Sequence, residues 1–307
     1  LITVVAIIAA VASVYYMTAS NSTELDLDTQ FMNFMQDYGK SYNSESEMKF
    51  RKDVFKANLE KAAILNEQNP LAEFGVTIFS DLTESEMNKR MGAVAPTEPD
   101  NAPMHEGESE PNGDIDWRST MPGVRNQGAC GSCWAFSAIS TFEGRRKLAG
   151  KGMETYSEQE MVDCVTKSHG CHGGWMHYCY EYLQGQNLCT DSVYPYKARD
   201  GSCQVSKCTQ SIRDKSYKNI GQSETAMMDA LKSGPVAIAL DASTWSSYRG
   251  GVMTSCGHGM NHAVTLTGYK ASDNAWLIRN SWGSSWGESG YVRVLYGKNV
   301  CNLTYKS

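Results

Sequence analysis

The run Gln127-Gly128-Ala129-Cys130-Gly131-Ser132-Cys133-Trp134 carries the first two thiols of the chain, three residues apart. A Cys-x-x-Cys pair can be a redox dithiol, half of a zinc site, or a structural cysteine beside a nucleophile. Zinc needs a second donor pair, and His169, Cys171 and His172 do not reproduce the spacing of a ribbon or finger. A redox pair of the thioredoxin kind belongs near an early βαβ unit, and no such pattern precedes it. The nucleophile reading draws on the local sequence. Gly131-Ser132 breaks the chain, whereas 134–148 (WAFSAISTFEGRRKL) lacks proline and is apolar at Phe136, Ile139 and Phe142. Cys133 is therefore expected at a helix N-terminus, where unpaired N–H groups and the helix dipole favour a thiolate.

A thiolate needs a base. Of the six histidines, His105 lies in a proline-rich stretch, and His169, His172 and His177 crowd a Gly- and Cys-rich loop and the start of a helix. His258 and His262 have the spacing of helical metal ligands, but Gly257 and Gly259 flank the first and no carboxylate lies close by. No metal and no cofactor is expected. Residues 261–267 (NHAVTLT) read instead as a strand led by His262, and a strand over 275–278 delivers Arg279-Asn280-Ser281-Trp282-Gly283. His262 follows Cys133 by 129 residues and Asn280 follows it by 147. A nucleophile and a base so far apart in sequence can meet only if the fold brings their elements together.

The elements around these residues divide the chain in two. Residues 1–112 carry 18 acidic and 8 basic side chains, a net of −10, and the remainder carries +4, for −6 over 307 residues. All ten cysteines lie at or beyond Cys130. A hydrophobic fraction of 41% supports a packed core, and the net charge argues against a nucleic-acid binder with a basic surface. Leu1–Val14 is almost wholly apolar and leads into Thr18-Ala19-Ser20, as in a secretory signal with a small-residue cleavage zone. A signal anchor is the alternative, and a start on Leu without a basic flank implies further sequence upstream. Phe31, Phe34 and Met35 form one helix face that stops at Gly39-Lys40. A second helix starts near Ser44 or Ser46 and aligns Glu47, Arg51, Phe55, Asn58, Ala62 and Asn66, with a Glu47–Arg51 pair on its surface. Residues 75–81 alternate like a short strand, and Thr83-x-x-Glu86 reads as a capping box. Residues 92–113, with Pro96, Pro99, Pro103 and Pro111, read as an exposed linker open to proteolysis.

Residues 111–307 resemble a papain-family cysteine protease of the cathepsin L type, and residues 24–91 resemble its inhibitory propeptide. The resemblance rests on Gln127, the run from Cys130 to Ser137, Cys171-His172-Gly173-Gly174, Asn261-His262-Ala263 and Asn280-Ser281-Trp282-Gly283. In the first segment it rests on Glu47, Arg51, Phe55, Asn58 and Asn66, then Gly75, Phe79 and Asp81. Ala62 stands where the family has Ile and Thr77 where it has Asn, substitutions expected to weaken the inhibitor. The stretch from Trp117 to Gln127 is two residues short of the common pattern, so the entry to the active-site loop is expected to be rebuilt.

The resemblance implies an α+β, papain-like fold of two subdomains, one helical and one an antiparallel β-barrel-like unit, preceded by a helical propeptide. The implied divisions are 1–20 signal, 21–110 propeptide with its linker from about 92, and 111–307 peptidase. It further implies that a Cys133 thiolate attacks a peptide carbonyl, that His262 is its acid and base, that Asn280 orients the imidazole under Trp282, and that the Gln127 amide and the Cys133 N–H hold the oxyanion. Gly173 and Gly174 would pair with an extended substrate. Trp175, Met176 and Ala263 would wall a hydrophobic pocket for the second residue before the scissile bond, with Lys306 at its floor disfavouring basic side chains. The implied disulfides are Cys130–Cys171, Cys164–Cys203 and Cys256–Cys301, with Cys189–Cys208 as a fourth. Cys179 is then a buried apolar residue. The implied partners are protein or peptide substrates and the chain's own propeptide, with no nucleic acid, no stable membrane association once processed, and a monomer. The implied location is the secretory route, ending in a lysosome, a digestive vacuole or the extracellular space. Asn21-Ser22-Thr23 and Asn302-Leu303-Thr304 would be glycosylation acceptors there. An inactive relative serving as a binding module and a disulfide oxidoreductase are the competing functions. The opposed charges of the two segments are expected to hold them together at neutral pH and to loosen as carboxylates protonate.

Overall fold

A computed structural model of the chain describes residues 26–98, 100–208 and 216–305. The expected signal region, Asn21 and Lys306 lie outside the described residues. Among the described residues no helix is long and apolar enough to cross a membrane.

The first segment folds around aromatic side chains. Helix α1 (26–37) packs Phe31 and Phe34 against Phe55 of α2 (Glu45–Gln68), and these three rings form a small core of their own. Ser44 caps α2 by accepting from the Glu47 N–H. The surface pair expected on α2 is replaced: Glu47 accepts from the Asn43 N–H, and Arg51 forks onto Glu86 at 2.7 and 2.8 Å. Glu86 lies on the one-turn helix α3 (Glu84–Asn88), which Thr83 caps through the expected box. The two asparagines of this α2 face also point at backbone. Asn58 donates to Ser80 O and Leu82 O, and Asn66 both accepts from and donates to the Phe74 backbone.

These contacts displace the expected strand. The strand is β1, Ala72–Phe74, three residues earlier than the alternation suggested, and 78–81 is a turn. Asn66 fixes Phe74, and Asn58 holds the carbonyls that follow, so side-chain bonds from α2 override the local period-2 pattern.

The second segment has a helical half and a sheet half. Helix α4 (Cys133–Leu148) is buried on all sides from Cys133 to Gly144, as befits a central helix, and α5 (Glu158–Cys164) and α6 (Met176–Gly185) pack around it. The other half is a seven-stranded sheet that includes β3 (Ile115–Asp116), β5 (Val236–Leu240), β6 (Tyr248–Met253), β7 (His262–Lys270), β8 (Ala275–Arg279) and β9 (Tyr291–Leu295). Its order is β1-β6-β9-β8-β7-β3, with β5 also on β7. No pairing among the described residues joins its ends, so the expected barrel-like unit is an open sheet. One edge strand, β1, comes from the first segment, and Phe74, Phe79 and Met87 enter the same hydrophobic core as Trp245, Trp276 and Trp286.

The stretch 92–113 is not the free linker its composition suggests. Strand β2 (Met104–His105) pairs in parallel with β4 (Asn219–Ile220), just before α7 (Glu224–Lys232). His105 Nε2 lies 2.9 Å from Asp229 Oδ2, and Ser109 donates to the other oxygen of that carboxylate. Asp100 meets His177 at 3.5 Å and accepts from Tyr217 OH at 3.0 Å. Four disulfides tie the second segment: Cys130–Cys171, Cys164–Cys203, Cys189–Cys208 and Cys256–Cys301. Cys133 and Cys179 are free and buried.

Candidate active site

Two elements bring the candidate nucleophile and base to one place. Cys133 is the first residue of α4, and His262 is the first residue of β7. One turn further along α4, Ser137 Oγ donates to Val264 O at 2.6 Å, and Ser140 Oγ lies 2.5 Å from Thr265 Oγ1. These two bonds fix the helix against the strand, so their first residues share one end of the interface. The Ala263 N–H faces the Cys133 sulfur.

Antiparallel pairing of β7 with β8 then places Asn280, just past β8, beside His262. His262 Nε2 lies 2.8 Å from Asn280 Oδ1, and the same oxygen accepts from the Ser281 N–H at 2.8 Å. An oxygen that accepts from a backbone N–H must also accept from the ring, which puts the proton on Nε2 and leaves Nδ1 as a base. His262 Nδ1 is buried without a hydrogen-bond partner among the described residues. Trp282 covers the pair, its ring 5.0 Å from the imidazole.

Gln127 completes the group, and two features beyond the expected set hold it there. Ser281 Oγ donates to Gln127 Oε1 at 2.6 Å, and Gln127 N donates to Ser281 O at 2.9 Å. This leaves the amide nitrogen pointing inward. The stretch before Gln127 is pinned by two cations. Buried Arg279 donates to Pro122 O and Gly123 O at 2.8 and 2.7 Å, and Arg125 reaches Tyr156 O and Glu143 at 2.8 and 2.7 Å. Ser281 is visible in the Asn280-Ser281-Trp282 run, but no local signal marks Arg125 or Arg279 as anchors.

The first segment lies across this group. Gln127 Nε2 donates to the backbone carbonyl of Arg90 at 2.8 Å and to Cys130 O at 2.8 Å. The Gly92 N–H points at Cys133 Sγ from 3.3 Å. Gly174 N donates to Gly92 O at 2.9 Å, and Val94 N donates to Gly174 O at 3.0 Å, so the covering chain pairs with Gly174 in the parallel sense. Glycine is required for this approach. A Cβ on Gly92 would sit 1.8 Å from Gly131 O, and one on Gly173, at φ +119°, would sit 2.6 Å from the Val94 side chain. Ala93 enters the cluster formed by Trp175, Met176 and Ala263. Phe79 stands edge-on to Trp282 with ring centres 5.5 Å apart, and Thr77 Oγ1 donates to Ser246 O at 2.6 Å.

Burial under this cover sets the protonation states. It pushes the Cys133 thiol up to about 11, only partly offset by the N–H groups of Ala263 and Gly92. It pushes His262 down to about 4 despite the bond to Asn280. Both groups are therefore neutral in this form. Glu160 with Cys189 and Cys208 is the one cluster of metal-type donors among the described residues, and its two sulfurs are bonded to each other.

Comparisons with known proteins find a peptidase domain and an inhibitor domain in the same chain. Residues 111–307 match the model of papain family cysteine proteases, and residues 31–87 match that of the cathepsin propeptide inhibitor domain. The chain belongs to the papain family of cysteine proteases. Curated relatives include Cysteine proteinase 2 of Leishmania pifanoi, 39% identical over 89% of this chain and 67% of its own length. Cysteine proteinase 1 of Zea mays is 37% identical over 92% and 85%. Among solved structures, the digestive procathepsin L2 proteinase from Tenebrio molitor larval midgut has a TM-score of 0.82 at 32% identity, covering 91% of this chain and 97% of its own. The recombinant stem bromelain precursor has a TM-score of 0.81 at 30% identity, covering 92% and 97%. The form described is therefore that of a papain-family zymogen with its inhibitor domain in place.

Proposed function

We propose that the chain is a cysteine endopeptidase that uses Cys133 as nucleophile, His262 as acid and base, Asn280 as the positioning partner of His262, and Gln127 with the Cys133 N–H as the oxyanion site. The observation that carries this reading is the double engagement of Arg90 and Gly92: a backbone carbonyl rests on Gln127 while the neighbouring chain rests on the Cys133 sulfur. The cleft already holds polypeptide, but it presents an N–H to the sulfur where a substrate presents a carbonyl carbon.

Removal of the cover returns water to Cys133 and His262. Desolvation no longer opposes charge, and a proton can pass from the thiol to Nδ1, the nitrogen that the Asn280 bond leaves free. The thiolate adds to the carbonyl carbon of the scissile peptide, and the oxygen takes the place now held by Arg90 O. His262 then protonates the departing amine, and water deacylates the thioester with His262 as base. Gly173 and Gly174 let the extended substrate close on the cleft, and Trp175, Met176 and Ala263 favour an apolar side chain before the cut. We read the protein as a monomer of the secretory route that acts in a lysosome, a digestive vacuole or outside the cell, with the mature part beginning near residue 111.

Acid incubation of the full chain, followed by N-terminal sequencing and a peptide assay, tests this. The expected result is cleavage between about residues 92 and 113 together with the appearance of peptidase activity, both abolished in Cys133→Ala. Retention of activity by Cys133→Ala would refute the assignment. Reduction of insulin without peptide cleavage would instead support an oxidoreductase.

A further inference from the structure

A cavity of about 1050 Å³ lies beneath the linker and not at Cys133. Its lid is the linker itself, through Pro96, Glu98, Asp100, Met104 and His105. Its floor comes from the outer face of α4, the start of α6, residues 216–220 leading through β4, and the start of β5. Charge is segregated across it. Among the described lining residues the carboxylates are Glu98 and Asp100, both on the linker, while the floor supplies Arg145, Arg146, Lys151 and Lys218; one lining histidine lies on each side, His105 on the linker and His177 on the floor. The linker backbone is docked as well: β2 lies on β4, and Asn219 N donates to Pro103 O at 3.0 Å. Trp175 and Met176 line one end of this cavity and also contact Ala93 in the cleft, so the two sites are continuous.

When the first segment is cut away, this surface loses its occupant. Strand β4 becomes an open edge beside a basic floor. We propose that on the mature enzyme this surface is an exosite that captures an acidic, extended stretch of a polypeptide substrate, upstream of the scissile bond. The proposal rests on the protease reading above. The linker marks the place and the chemistry of the ligand, not its chain direction. The cavity adjoins Trp175 and Met176, which wall the pocket before the cut, so a substrate crosses it in the sense opposite to the linker. Strand addition to β4 gives contacts that any sequence can make, and the lysines and arginines select carboxylates. Asp100 and Met104 follow Gly92 by 8 and 12 residues. A substrate therefore needs roughly ten residues between its cut and its acidic stretch.

The test uses enzyme obtained by processing the full chain, titrated with a fluorescent peptide of residues 96–110 and followed by anisotropy. The expected result is saturable binding that weakens with salt and does not slow hydrolysis of a dipeptidyl reporter. Converting Glu98, Asp100, Glu106, Glu108 and Glu110 of the peptide to amides is expected to weaken binding at least about tenfold, and Lys151→Glu with Lys218→Glu in the enzyme to do the same. An acidic extension upstream of a peptide substrate is expected to lower KM several-fold at unchanged kcat. Absence of saturable binding, equal affinity for the acidic and amidated peptides, or competition with the reporter would each overturn the proposal. The peptide arms need no enzyme variant, so misfolding cannot mimic a negative. Reporter hydrolysis reads the protease assignment separately, because anisotropy reports binding whether or not the preparation is active.

Discussion

The Arg51–Glu86 fork offers a quantitative test of how the inhibitor domain is held in shape. Glu86 accepts two bonds from Arg51, at 2.7 and 2.8 Å, and caps α3 through the Thr83 N–H at 2.8 Å. The Arg51 bonds are the largest cause of a carboxyl pKa lowered to about 2 from 4.5. Fully converted, that shift is a ceiling of about 3.4 kcal/mol, at 1.36 kcal/mol per unit. The Glu86 side chain keeps 30% of its exposure, so solvent screening reduces the figure to about 1.5–2 kcal/mol. Counting charge-assisted hydrogen bonds gives a similar size. Because the folded pKa is depressed, this stability is fully present above 4.5 and is lost as pH falls toward 2. Glu86→Gln in a Cys133→Ala background, which cannot process itself, should destabilise the inhibitor domain by about 2 kcal/mol at pH 7. Urea melts from pH 7 to pH 2 are the assay. The gap between parent and variant should hold to about pH 4.5 and close by about pH 2. A gap that stays constant across this range, or widens in acid, would refute the argument.

Three further outcomes follow from the cover on Cys133. Gly92→Ala must move the chain off Gly131 O, so the zymogen should mature at higher pH and faster than the parent, read by gel and peptide assay; unchanged timing would mean that the Gly92 contact carries no inhibition. Alkylation of Cys133 by iodoacetamide at pH 7 should be slower in the zymogen than in processed enzyme by several orders of magnitude, since a thiol at about 11 leaves about one in ten thousand molecules as thiolate. Gln127→Ala should lower kcat about 10²–10³-fold with little change in KM, and an equal loss in KM would point to substrate binding instead.

The candidate catalytic group was legible in the sequence because each member sits where its element begins or ends. Cys133 opens a helix, His262 opens a strand, and Asn280 follows the neighbouring strand, so identity and spacing carried the geometry. The four disulfides agree with the pairing that the family resemblance implied. What escaped notice depends on contacts between remote parts of the chain. The strand at 72–74 is set by Asn66, and Arg51 leaves Glu47 for Glu86 because α3 folds back along α2. Residues 92–113 look unstructured by composition, since their order comes from β4, Asp229 and His177, more than seventy residues away. Asp100–His177 and His105–Asp229 join linker to enzyme, and Ser109 and His105 hold the Asp229 carboxyl below its usual range. Asn302, expected as a glycosylation acceptor, spends its amide on His258 O and Gly259 O at 3.2 and 3.4 Å, bonds a glycan would have to replace.

The Gly92 N–H seated on Cys133 has a consequence for how the molecule is made. Nine other cysteines share this chain, and eight of them end in disulfides. Exchange between sulfurs proceeds through the thiolate, and in the folded precursor Cys133 is neutral and covered. Once the precursor is folded, an oxidant or an exchanging sulfur finds this one masked. The inhibitory segment therefore acts as a synthetic chemist's protecting group, fitted over the reactive sulfur and removed in the last step.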